Sequence, residues 1–155
     1  MQKFITKTPE ETKKIGFDLV KKMKGKGVIC LRGSLGAGKT TFTKGCARAL
    51  GFNERQIKSP TFIYIREHGK KDGKGKLYHC DFYRLQQKDN GEQKDNGKQK
   101  DHFAGKTFEE MEFGESLCII EWPNNIQHIL PKKRIEVAIE IIDENKRKIE
   151  IRSVK

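Results

Sequence analysis

The stretch Gly33-Ser34-Leu35-Gly36-Ala37-Gly38-Lys39-Thr40-Thr41-Phe42 holds the densest chemistry in this 155-residue sequence. From Gly33 to Thr40 it reads G-x-x-x-x-G-K-T, the spacing of a phosphate-binding loop. Glycines let successive backbone N–H groups turn inward, and a helix that starts there adds the positive end of its dipole. Lys39 is then expected to reach the outer phosphates of a nucleotide, with the Thr40 hydroxyl on magnesium. Residues 33–41 together form the candidate cradle, with ATP and Mg2+ as the expected ligands. Such a loop also needs an acid at the end of a neighbouring strand. Asp81 ends the run Leu77-Tyr78-His79-Cys80, and Glu121 ends Leu117-Cys118-Ile119-Ile120. The second run is the more apolar, whereas aspartate is the commoner residue type for this job. One of the two is expected to hold magnesium or its water, leaving the other to orient the attacking water.

The elements that position these groups follow from local pattern. Val28–Leu31 is an apolar run before the glycine loop and predicts a strand, while Thr40–Leu50 predicts a helix stopped by Gly51. An earlier helix starts at Thr8 as N-cap, with Pro9 at its first position and Glu11 three residues on to close a capping box. Ile15, Leu19, Val20 and Met23 recur along it at helical spacing, and Gly25 and Gly27 end it. Further strands are expected at Phe4-Ile5, 62–65, 77–80 and 117–120. A C-terminal hairpin over 135–142 and 149–154 turns at Asn145-Lys146. The fold class is therefore α/β: a P-loop-type, mostly parallel sheet with flanking helices and a C-terminal antiparallel hairpin.

Length fits a single domain over residues 1–155. Charged residues (35%) slightly outnumber apolar ones (34%), so part of the chain is expected to stay outside the packed core. That part is residues 86–101, Q-Q-K-D-N-G-E-Q-K-D-N-G-K-Q-K-D, with Q-K-D-N-G written twice and no apolar side chain. It predicts a disordered insertion. No apolar run approaches the ~18 residues of a membrane span, and Met1–Ile5 carries no secretion segment, so the expected location is the cytoplasm. Cys30, Cys46, Cys80 and Cys118 show no metal-binding or disulfide spacing and read as small buried thiols. The net charge of +12 fits an anionic partner, nucleic acid included. However, 25 of the 33 basic residues are lysines, without an arginine cluster or an aromatic-basic RNA motif.

The nucleotide chemistry narrows by what surrounds the loop. A guanine-specific switch needs N-K-x-D, and Asn145-Lys146-Arg147-Lys148 lacks the aspartate. A small-molecule kinase needs a lid and an acceptor pocket, yet the one long insertion is repetitive and polar. A non-catalytic nucleotide-binding adaptor remains the alternative to an ATPase. Read singly, His79, Tyr83, Arg84 and Trp122 are ordinary packing residues and Thr61 a turn residue.

Four blocks stand in order: G-S-L-G-A-G-K-T-T-F (33–42), S-P-T-F (59–62), H-C-D-F-Y-R-L (79–85) and I-I-E-W-P (119–123). Together they resemble the bacterial TsaE (YjeE) family, the ATPase of tRNA threonylcarbamoyladenosine biosynthesis, over almost the whole chain outside the insertion. The resemblance implies a compact P-loop ATPase, slow alone. It would work with the two-protein complex of TsaB and TsaD type that modifies adenosine 37 of tRNA, with tRNA itself an indirect partner. It also implies that Lys39 and Thr40 bind phosphate and magnesium, Thr61 acts as a switch-like threonine and Glu121 is the magnesium-side acid. Asp81 takes the second acidic role, and Trp122 lies beside the nucleotide. Ser34 departs from the family pattern, which usually has an acidic residue there, and the polar insertion lengthens the connection after the third block.

Overall fold

The computed structural model describes residues 1–60, 65–69, 75–83 and 115–155. Thr61, residues 62–64 of the expected strand, Arg84 and the 86–101 insertion lie outside the described residues. The elements run β1 (Gln2–Thr6), α1 (Pro9–Lys22), β2 (Gly27–Arg32), α2 (Lys39–Ala49), β3 (Ile65–Gly69), β4 (Lys76–Asp81), β5 (Leu117–Glu121), β6 (Arg134–Ile141) and β7 (Arg147–Val154). Short 3-10 turns cover Glu54–Gln56 and Pro123–Ile129.

All seven strands form one sheet in the order β1-β7-β6-β2-β5-β4-β3. The strands β6, β2, β5 and β4 are parallel, so they bring their C-terminal ends to one edge. The expected hairpin is present as β6 and β7. Antiparallel β1 continues it on the outside, and antiparallel β3 closes the far edge. The fold is thus mixed α/β, with its parallel part confined to the centre. That centre is where β2 delivers the glycine loop.

Both helices pack on the same face. Leu19 and Val20 of α1 and Phe42, Cys46 and Ala47 of α2 share a core with Ile29, Leu31, Leu77, Leu117, Ile119 and Val137. On the opposite face Val28, Cys30, Tyr78, Cys80, Cys118 and Ile120 lie beneath Ile126 and Leu130, which come from the 3-10 turn and its end. Cover on both faces explains why β2 and β5 are continuous apolar runs instead of alternating ones. All four cysteines are buried thiols outside any disulfide, and burial pushes the Cys30 thiol up to about 12.

At the start of α1 the Thr8 hydroxyl accepts the Glu11 N–H at 3.2 Å. The Glu11 carboxylate reaches back to the Lys7 N–H at 2.6 Å, one residue before the N-cap position of a regular capping box. Where α1 crosses α2, close approach depends on glycine. A Cβ on Gly16 would stand 2.5 Å from the Phe42 carbonyl oxygen, and one on Gly45 would overlap the Lys13 carbonyl. Backbone cannot yield as a side-chain end can. Gly45→Ala is therefore expected to push the helices apart and cost about 2 kcal/mol or more. A chemical-denaturation midpoint equal to that of the parent chain would refute this.

Candidate functional site

The loop between β2 and α2 bends through glycines. Gly36 (φ 76°) and Gly38 (φ 107°) occupy left-handed backbone, and a Cβ on either would meet no atom within 4 Å. Their requirement is one of backbone torsion in a site open to approach, not of packing. Gly38 is also the N-cap of α2 and supplies no side-chain hydrogen bond, so the first N–H groups of that helix remain available to an anion.

Lys39, the first residue of α2, folds back across the loop. Its Nζ donates to the carbonyls of Gly33 (2.8 Å) and Ser34 (2.9 Å) and sits 4.2 Å from the centre of the Trp122 ring. Burial pushes the Lys39 ammonium below its usual range, and the charges of Glu121 and Asp81 oppose that shift. Ser34 takes part through its backbone carbonyl, so a serine in place of an acid leaves this contact available.

Asp81 and Glu121 are brought together by strand register. Asp81 pairs with Glu121 across β4 and β5, and Leu31 pairs with Glu121 across β2 and β5. Both carboxylates are buried. Asp81 accepts the Ser59 hydroxyl at 2.7 Å through Oδ2 and the Tyr83 N–H at 2.9 Å through Oδ1. Glu121 Oε1 lies 2.8 Å from His79 Nε2. Trp122 follows at φ 58°, a left-handed conformation that is strained for so bulky a residue, and its ring packs 4.9 Å from that of Tyr83.

These groups line a cavity of about 390 Å³ formed by Leu35, Gly36, Gly38, Lys39, Thr40 and Thr41 on one side, with Ser59, Asp81, Tyr83, Glu121 and Trp122 opposite. It opens where the parallel strands end, the usual place for a ligand in an open α/β sheet. A larger cavity of about 610 Å³ lies at the other ends of these strands, beside Gly27, Val28 and Ile135, away from the loop. The structure thus gathers Leu35, Gly36, Gly38–Thr41, Asp81, Glu121 and Trp122 from the sequence-derived set. Gly33 and Ser34 act through carbonyls behind the cavity wall, and Ala37 is buried. Ser59, His79 and Tyr83 join the site without having been read as functional. Their signal was their position: His79 shares a strand face with Asp81, and Ser59 opens the S-P-T-F block.

The hydroxyl of Thr40 and the carboxylates of Asp81 and Glu121 are hard oxygen donors, which fit magnesium and not a soft metal. Among the described residues no three His, Cys, Asp or Glu side chains form a metal cage. Magnesium asks for less, because it is commonly held by one or two protein oxygens together with phosphate oxygens and water.

A glycine-rich loop between the central parallel strand and a helix, facing acids on the next strand ends, defines a P-loop α/β protein. The family model for "Threonylcarbamoyl adenosine biosynthesis protein TsaE" matches residues 6–149, and the chain belongs to that family. A Bacillus subtilis tRNA threonylcarbamoyladenosine biosynthesis protein TsaE is 38% identical over 152 residues, covering 98% of this chain and 85% of the relative. The protein of the same name from Aquifex aeolicus is 37% identical, with 97% of this chain and 96% of the relative covered. The crystal structure of Bacillus subtilis YdiB superposes with a TM-score of 0.73 at 34% identity, covering 99% of this chain and 86% of that one.

Proposed function

We propose that this chain is the magnesium-dependent, ATP-hydrolysing component of tRNA threonylcarbamoyladenosine biosynthesis. In this reading it serves, in the cytoplasm, the two-protein TsaB and TsaD type complex that modifies adenosine 37. The observation that carries the proposal is the placement of Lys39 across one cavity from two buried carboxylates, in a chain of the TsaE family. A nucleotide-binding adaptor needs the lysine and the loop but has no use for a second buried acid, which favours hydrolysis. Among the described residues no helix is long and apolar enough to cross a membrane.

The residues divide the work as follows. Backbone N–H groups within the loop of residues 33–41 cradle the phosphate chain, and Lys39 leaves its carbonyl partners to meet the outer phosphates. Magnesium, when bound, neutralises charge on the phosphate oxygens. Thr40 and Glu121 would hold it. Asp81, fixed by Ser59 and the Tyr83 N–H, orients the water for in-line attack. Trp122 and Tyr83 wall the cavity, and Thr61 is assigned the switch-like role that its family position implies. Residues 1–155 act as one domain, with 86–101 as an accessory insertion.

Magnesium titrations separate the two acids. Glu121→Gln should raise the magnesium concentration needed for nucleotide binding by about tenfold. Asp81→Asn should leave nucleotide binding nearly intact while slowing phosphate release by about 10²-fold. The reverse pattern would exchange their roles. Loss of neither property in either variant would refute hydrolysis at this site.

A further inference from the structure

His79 sits two residues before Asp81 on β4, so its side chain leaves the sheet on the same face. In register it lies opposite Ile119, one alternation short of the Asp81–Glu121 pair. The ring therefore reaches diagonally along β5 to Glu121, with Nε2 2.8 Å from Oε1. Both side chains are withdrawn from solvent, His79 at 0% and Glu121 at 3% exposure. The other ring nitrogen, Nδ1, is buried and has no hydrogen-bond partner among the described residues.

Those facts decide where the proton resides. A proton on Nδ1 would bury an orphan N–H and leave two acceptors facing each other at Nε2 and Oε1. A proton on Nε2 leaves only an unpaired imine lone pair, the lesser cost, and supplies a donor to the carboxylate. From this geometry we infer that His79 is the positioning residue for Glu121. It donates from Nε2 to one oxygen and so fixes the rotation of the carboxylate that lines the cavity. Asp81 is held in a comparable way by Ser59 and the Tyr83 N–H, so each acid has its own orienting donor. The inference rests on the magnesium–nucleotide reading above and adds to it the group that sets Glu121 for the metal.

The test uses two amides of different reach. His79→Gln places an N–H near the position of the imidazole Nε2, whereas His79→Asn stops short of Glu121. Magnesium-dependent ADP binding is read from the fluorescence of Trp122, the single tryptophan, which lines the same cavity. His79→Asn should raise the magnesium half-saturation about tenfold or more, and His79→Gln should recover it to within about threefold. In a Glu121→Gln background, His79→Asn should add little further change, because the two residues act as one unit. In the metal-free parent chain, imidazole nitrogen shifts should show the proton on Nε2, which keeps a readout should the asparagine variant not fold. A proton on Nδ1, parental magnesium dependence in both variants, or equal losses in both would overturn the positioning role alone. Absence of magnesium-dependent ADP binding in the parent chain would overturn the nucleotide reading, and this inference with it.

Discussion

Lys39→Ala is expected to lower ATP hydrolysis by about 10²- to 10³-fold, the range for loss of one preorganised group facing the charge of a transition state. Lys39 is suited to that role because its ammonium is already withdrawn from water and its hydrogen bonds in the free protein go to neutral carbonyls. It touches two carbonyls and a ring face, each replaceable by water or by the bases and phosphates of a ligand. Removing the side chain also removes the cost of burying it, so the fold should survive with a thermal midpoint within about 4 °C of the parent. Nucleotide affinity should fall less than turnover, because the N–H groups at the start of α2 still meet the phosphates. Lys39→Arg should not restore the rate: a planar guanidinium cannot follow the compact path of the ammonium between the Gly33 carbonyl and the Trp122 ring. Phosphate release and Trp122 fluorescence, measured on the same samples, separate turnover from binding. Undiminished hydrolysis in Lys39→Ala would remove the catalytic assignment.

The glycine loop's shape was legible in the sequence because its constraints are local. Left-handed backbone selects glycine at 36 and 38, and charge selects lysine at 39, whatever surrounds them. The two acids were legible because each closes a strand-like run, and parallel pairing brings such ends to one edge. What local pattern could not give was register. The pairing of Asp81 with Glu121 puts His79 within reach of Glu121, and the path of the chain after α2 brings Ser59 to Asp81. Trp122 was equally opaque, since nothing in its neighbours' types predicts a left-handed aromatic. It stands at the entry to the turn at Pro123, and its N–H donates to the Leu31 carbonyl at 3.3 Å. Glu136 shows the same limit. It falls where β6 alternation puts residues on the face without helices, yet it is buried, because Arg32, Arg134 and Arg152 converge on it from three strands. The helices and the hairpin followed from pattern, but the close crossing of α1 and α2 did not, because it depends on glycine contacts between elements distant in sequence.

Hydrolysis by the isolated protein should be slow, and the partner pair of the same organism should stimulate it about tenfold or more. Among the described residues that line the cavity, Lys39 is the one cation, facing the two acids Asp81 and Glu121. Magnesium can balance that deficit for binding, but the charge that spreads over the transferring phosphoryl group needs a further donor, commonly an arginine delivered in trans. Arg84 is the nearest arginine in sequence to Asp81 and lies outside the described residues. The cavity is also open to solvent, so water competes with every protein dipole in it. A partner that closes over Trp122 and Tyr83 would exclude that water and strengthen the field of Lys39 at the same time. The experiment measures phosphate release and modified tRNA together, with Lys39→Ala as the control for stimulated turnover. Stimulation that survives Lys39→Ala would assign the added hydrolysis to the partners themselves. No stimulation, together with unchanged tRNA modification when this chain is omitted, would leave a P-loop ATPase without the proposed role. Stimulated hydrolysis that Lys39→Ala abolishes is the result predicted by a cavity whose one cation among the described residues is Lys39.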